Sequence, residues 1–140
     1  MTVPFGIQDI DHVVLRVGDI ERAIVFYRDV LGCPVEKVQD GIGLYQLRAG
    51  RSLIDLVPVK GELGRKGGAA PGRDGRNVDH FCLIVDPFDE AALRRHLASH
   101  GVEASKAGRR YGARGYGPSI YVQDPDGNTV ELKSPLMEET

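Results

Sequence analysis

Ile10-Asp11-His12-Val13-Val14-Leu15-Arg16-Val17 returns later in the chain as Val78-Asp79-His80-Phe81-Cys82-Leu83-Ile84-Val85, an offset of 68 residues from His12 to His80. Both runs alternate as strands do, and a helical pattern follows each. After the first, Asp19 is a good N-cap, Ile20, Ala23, Ile24, Tyr27 and Leu31 recur at helical spacing, and Gly32 is a natural stop. After the second, Pro87 opens a stretch holding Phe88, Ala92, Leu93 and Leu97, and Gly101 closes it. The strand-rich tails also correspond. Leu44-Tyr45 matches Ile120-Tyr121, and Ile54-Asp55-Leu56 matches Val130-Glu131-Leu132, now at an offset of 76 from Asp55 to Glu131. The second copy therefore carries eight extra residues, which fall in the glycine-rich Gly108 to Gly117 stretch.

Each copy reads strand, helix, then about three strands. The expected fold is α+β: two tandem β-α-β-β-β modules forming a cupped mixed sheet. One domain spans 1–140, with module one at 8–59, a linker at 60–77 and module two at 78–134. Neither half could bury its apolar faces alone, so the two share a core or pair with another chain. The linker holds six glycines among Lys60, Arg65, Lys66, Arg73 and Arg76, and reads either as a solvated connection or as a basic lid over an anionic ligand. Asp124-Pro125-Asp126-Gly127 is a turn signal joining the last two strands as a hairpin.

Composition excludes several classes of function. The 140 residues are 41% hydrophobic and 27% charged, which suits a folded domain rather than a disordered chain. No apolar run approaches the ~20 residues of a spanning helix, so no membrane is expected. A net charge of −2 lacks the basic excess that a phosphate backbone demands, so no nucleic acid is expected either. Cys33 and Cys82 sit among apolar neighbours and read as buried small side chains, not a disulfide framework. The N-terminus lacks a basic start and a long apolar stretch, so the expected location is cytoplasmic.

Strand alternation decides where the ionisable groups point. Val13, Leu15 and Val17 share one face of the first strand, and His12, Val14 and Arg16 the other. On its twin, Phe81, Leu83 and Val85 oppose His80, Cys82 and Ile84. The apolar faces should pack on the helices, which leaves both histidines on the concave side. Asp55 and Glu131 can face the same cavity. Two imidazoles and two carboxylates suit a divalent ion, and Zn, Ni, Mn, Fe and Co all accept that donor set. His96 and His100, four apart on the second helix, have no carboxylate to complete a site and read as helix-surface residues.

This pattern resembles the vicinal oxygen chelate superfamily, the glyoxalase, bleomycin-resistance and extradiol-dioxygenase proteins. Besides the two Asp-His strands, Phe26-Tyr27-Arg28-Asp29-Val30-Leu31-Gly32 and Asp124-Pro125-Asp126-Gly127-Asn128-Thr129-Val130-Glu131-Leu132 carry the likeness, over roughly residues 8 to 134. The resemblance implies His12, His80 and Glu131 as metal ligands. Asp55 falls at the fourth position, where glyoxalase I-like members usually carry Glu. It further implies a homodimer, because sites in these proteins are often built across two chains; whether this site lies within one chain or across the dimer stays open. The implied activity is that of a metal-dependent lyase or isomerase like lactoylglutathione lyase, in which the ion stabilises an enediolate and Glu131, or Asp55 if it dissociates, acts as general base. Its substrate would be a small molecule with adjacent oxygens, such as a thiol conjugate. Arg16, Arg109, Arg110, Arg114 and Tyr121 are the candidate substrate-binding residues. A fosfomycin-type thiol transferase, a single-copy dioxygenase and a non-enzymatic bleomycin-resistance-like binder are the alternatives.

Overall fold

The chain's structure is a computed structural model, in which residues 3–136 are described. Module one runs β1 (His12–Val17), α1 (Ile20–Ile24), β2 (Val35–Gln39), β3 (Leu44–Ala49) and β4 (Ser52–Pro58). Module two runs β5 (His80–Ile84), α2 (Glu90–Ser99), β6 (Gly108–Gly112), β7 (Gly115–Gln123) and β8 (Thr129–Lys133). Both are β-α-β-β-β units. Their eight strands form two four-stranded mixed sheets, ordered β1-β4-β3-β2 and β5-β8-β7-β6. In each sheet the first strand lies at an edge, parallel to the last.

Local sequence explains the helices. Asp19 caps α1 by accepting from the Arg22 backbone N–H at 3.1 Å. The helix then widens into a π-helical segment, Val25–Val30, which turns Phe26, Tyr27 and Val30 into the core. The second helix starts at Glu90, not at Pro87, because the Asp89 carboxylate takes the Ala92 N–H and so defines the first turn. No helix is long and apolar enough to cross a membrane.

The apolar strand faces of both modules pack into one core. Leu15, Val17, Tyr27, Leu47 and Leu56 meet Leu97, Ile120, Val122, Val130 and Leu132. Polar ties hold the modules in register. The Tyr27 hydroxyl donates to Asp124 at 2.6 Å, with Asn128 donating to the same carboxylate at 2.8 Å. Burial, with Asp124 alongside, raises the Tyr27 hydroxyl far above its ordinary value, so it stays a donor. Asn77 exchanges hydrogen bonds with the Arg16 backbone and donates to Asn128. Cys33 is buried as its neighbours suggest, but Cys82 is exposed, because it lies on the face of β5 turned away from the core.

The linker is folded rather than loose. It forms a short 3-10 turn at Gly64–Gly67. Arg16, on the His12 face of β1, donates to the carbonyls of Gly64, Gly67, Gly68 and Ala69 at 2.6–3.3 Å. A Cβ at Gly67 would strike that guanidinium. Close approach, not turn geometry, calls for glycine there.

Candidate functional site

The two modules build the same small device. His12 lies opposite Leu53, two residues before Asp55, and His80 lies opposite Thr129, two residues before Glu131. Each imidazole therefore meets a carboxylate diagonally across a parallel strand pair. His12 Nε2 is 4.0 Å from Asp55 Oδ2, and His80 Nε2 is 3.4 Å from Glu131 Oε1. Both carboxylates are more than nine-tenths buried, at 3% and 6% exposure. The Nδ1 atoms donate to the preceding residues, His12 to Asp11 at 2.7 Å and His80 to Asp79 at 2.6 Å. An ionised carboxylate accepts only, so the proton sits on Nδ1 and each Nε2 presents a lone pair toward its buried carboxylate. The Asp11 hydrogen bond raises the His12 pKa, against the effect of burial and with help from Asp55. The His80 hydrogen bond, opposed by desolvation and aided by His80's charge and Arg76, lowers that of Asp79. These aspartates escape a search for ligands. Their signal in the sequence was the repeated Asp-His pair itself.

The halves stay apart. Among the described residues, no three His, Cys, Asp or Glu side chains come together as a metal cluster. Alternation allows a single cavity shared by all four groups; among the described residues the two pairs are not joined into such a cluster. The reason is topological: each module keeps its own sheet, with β1 and β5 as unpaired edges. On these edge strands Val14 is 47% and Ile84 38% exposed, although both are apolar.

Supporting residues differ between the halves. The Gln46 amide donates to both Asp55 oxygens at 3.2 Å. In strand register Gln46 faces Asp55 as Tyr121 faces Glu131. The sequence match of Tyr45 with Tyr121 is thus one residue out, because Tyr121 and its partner Glu131 are ten positions apart in the chain whereas Gln46 and Asp55 are nine. Tyr121 packs edge-to-face on His80, 5.6 Å between centroids. Cys82 stands opposite Glu131, and desolvation of its sulfur together with that carboxylate pushes its thiol up to about 11, although the residue as a whole is exposed.

The candidate arginines scatter. Arg110 shares the Glu131 face, its guanidinium 4.4 Å over the Tyr121 ring and donating to the Ser119 carbonyl and hydroxyl. Arg109 lies on the opposite face, over Tyr116 at 3.8 Å. Arg114, at the tip of the β6–β7 hairpin, lines a cavity of about 810 Å³ between the modules that includes none of the four candidate ligands. Arg16 holds the linker. Lys133, which no motif singled out, lies on the Glu131 face and is 2% exposed.

The class defined by this fold and site is a duplicated β-α-β-β-β protein with one His-carboxylate pair per module. The family model of the Glyoxalase/Bleomycin resistance protein/Dioxygenase superfamily matches residues 9–132, and the chain belongs to that superfamily. It is 33% identical to the glyoxalase domain-containing protein RDO1 of Mycosarcoma maydis, over 92% of this chain and 69% of that protein. It is 29% identical to the lactoylglutathione lyase of Haemophilus influenzae strain Rd, over 86% of this chain and 88% of that protein. The crystal structure of virulence protein STM3117 from Salmonella typhimurium superposes with a TM-score of 0.76 at 28% identity, covering 93% of this chain and 98% of that one.

Proposed function

We propose that the chain is a metal-dependent enzyme of the glyoxalase type, similar to lactoylglutathione lyase, whose working form is a homodimer. The observation that carries this is the pair of imidazoles with Nδ1 anchored by aspartate and Nε2 aimed at a buried carboxylate, once in each module. Such an outer carboxylate is what orients a metal-bound histidine. His12 and Asp55 of one chain and His80 and Glu131 of the other would hold the ion. Exposed Val14 and Ile84, on edge strands bearing the histidines, support closure of the two halves against a second copy.

A divalent ion so held supplies Lewis acidity toward two adjacent substrate oxygens. Everything else falls to the side chains. Asp55 is fixed by the Gln46 amide and acts as a stationary ligand. Among the described residues no amide or hydroxyl grips Glu131 as Gln46 grips Asp55, and His80 Nε2 faces it with a lone pair, so its carboxylate is the one able to move. Glu131 takes a proton from a substrate carbon beside a carbonyl and returns it to the neighbouring carbon. Its burial keeps water from competing for that proton. Loaded in turn with Zn, Ni, Mn, Fe or Co, the protein should form lactoylglutathione from methylglyoxal and glutathione, and His12→Ala and Glu131→Ala should lose this turnover. Absence of turnover with all five metals overturns the reading.

A further inference from the structure

Lys133 is an anomaly among the chain's cations. Its side chain is 98% buried on the face that carries Glu131, and its ammonium has one hydrogen-bond acceptor, the Gly115 carbonyl at 2.9 Å. Among the described residues no carboxylate comes within ion-pair distance of it. An ammonium has three protons to donate, and a lysine is almost never fully buried without a countercharge.

A second cation shares the place. Ser119 lies directly opposite Lys133 in the sheet, and the Arg110 guanidinium donates to the Ser119 hydroxyl at 2.9 Å. Arg110 likewise has no carboxylate partner among the described residues. Glycines make the room. A Cβ on Gly108 would come within 2.9 Å of the Arg110 guanidinium, and one on Gly117 within 3.4 Å of the Lys133 ammonium. The extra glycine-rich segment of module two is thus the floor on which two cations lie flat. At the level of Lys133, module one carries Val57, and the neighbouring Arg16 is occupied by linker carbonyls.

We propose that Lys133 and Arg110 form an anion subsite beside Glu131, so that the substrate carries a free carboxylate close to the oxygens that reach the metal. This rests on the glyoxalase-type reading above. The subsite selects among substrates, and the carboxylate supplies the countercharge that the described residues withhold.

The test compares succinic acid monohydroxamate with its methyl ester, two vicinal-oxygen chelators of nearly the same shape that differ by one charge. Calorimetry on the Zn-loaded dimer should show the acid binding roughly 10- to 100-fold more tightly, the range of a charge-assisted hydrogen bond. In Lys133→Met that preference should fall to near parity while the ester binds as before. Arg110→Gln, whose side chain lies outside the core, should reduce the preference in part and carries the test if Lys133→Met does not fold. Equal binding of acid and ester to the unaltered protein overturns the subsite alone. A preference that survives in every folded variant overturns the assignment to these residues. Binding of neither compound overturns the metal reading, and the subsite with it.

Discussion

The two modules share a plan and differ in how they tie down their charges. In module one the site carboxylate is gripped by Gln46, Arg48 makes a two-pronged pair with Glu36, and Arg16 is saturated by backbone carbonyls. In module two Glu131 has no amide to grip it, and Arg110 and Lys133 have no acid to pair with among the described residues. Both halves carry the same His-carboxylate pairing; on the proposed reading, one half is a holder and the other keeps groups able to act on something else.

Mixing the halves tests that division most severely. His12→Ala and His80→Ala homodimers should each be inactive, a loss of at least about a hundredfold. Co-refolded in equal amounts, they should regain about one quarter of the original activity. Half of the random dimers are mixed, and each mixed dimer rebuilds one intact site from two undamaged modules. Recovery of nothing would mean that a site does not cross between chains. Next in size, Glu131→Gln should lower turnover by about 10²–10⁴-fold while retaining metal, as loss of a general base does. Asp55→Asn should instead show mainly as weaker metal retention. Equal losses of turnover at equal metal content would erase the distinction between holder and worker.

Asp11→Asn and Asp79→Asn sharpen the comparison from the other side, because this device is common to both modules. Each should weaken metal affinity by about 10- to 100-fold, read by chelator competition, and by similar amounts. A smaller effect is expected where the modules meet. Tyr27→Phe removes a buried hydroxyl from Asp124 and should cost about 1–3 kcal/mol in denaturant unfolding. Smallest of all, Glu36→Gln breaks a half-exposed pair with Arg48 and should cost only about 0–1 kcal/mol.

Much of this was legible in the sequence because it follows from periods. An offset that returns Asp-His and Asp/Glu to matched strands marks the repeat, and alternation places His12, His80, Asp55 and Glu131 on the faces turned from the helices. Residues whose role depends on what lies across a strand were not legible. Gln46 becomes a tether through a register one residue away from the apparent match. Lys133 is in plain view two residues after Glu131, yet its burial, with no carboxylate partner among the described residues, exists only once the glycines of β6 and β7 pack against it. The separation of the two half-sites was hidden too, since sequence tells which side of a strand a histidine occupies but not which sheet edge meets another. Arg16 shows the same limit: it looked like a ligand for substrate, and its acceptors are four main-chain carbonyls that no residue letter reveals.

That clamp has a consequence for assembly. With Gly64 through Ala69 fastened to Arg16, and Asn77 fastened again to the strand beside it, the free leash between modules is far shorter than the linker's residue count suggests. With both modules packed into one core and the linker pinned between them, the two histidine-bearing edge strands are held in a fixed relation. One guanidinium on the first strand thereby makes the middle of the linker part of the first module's fold.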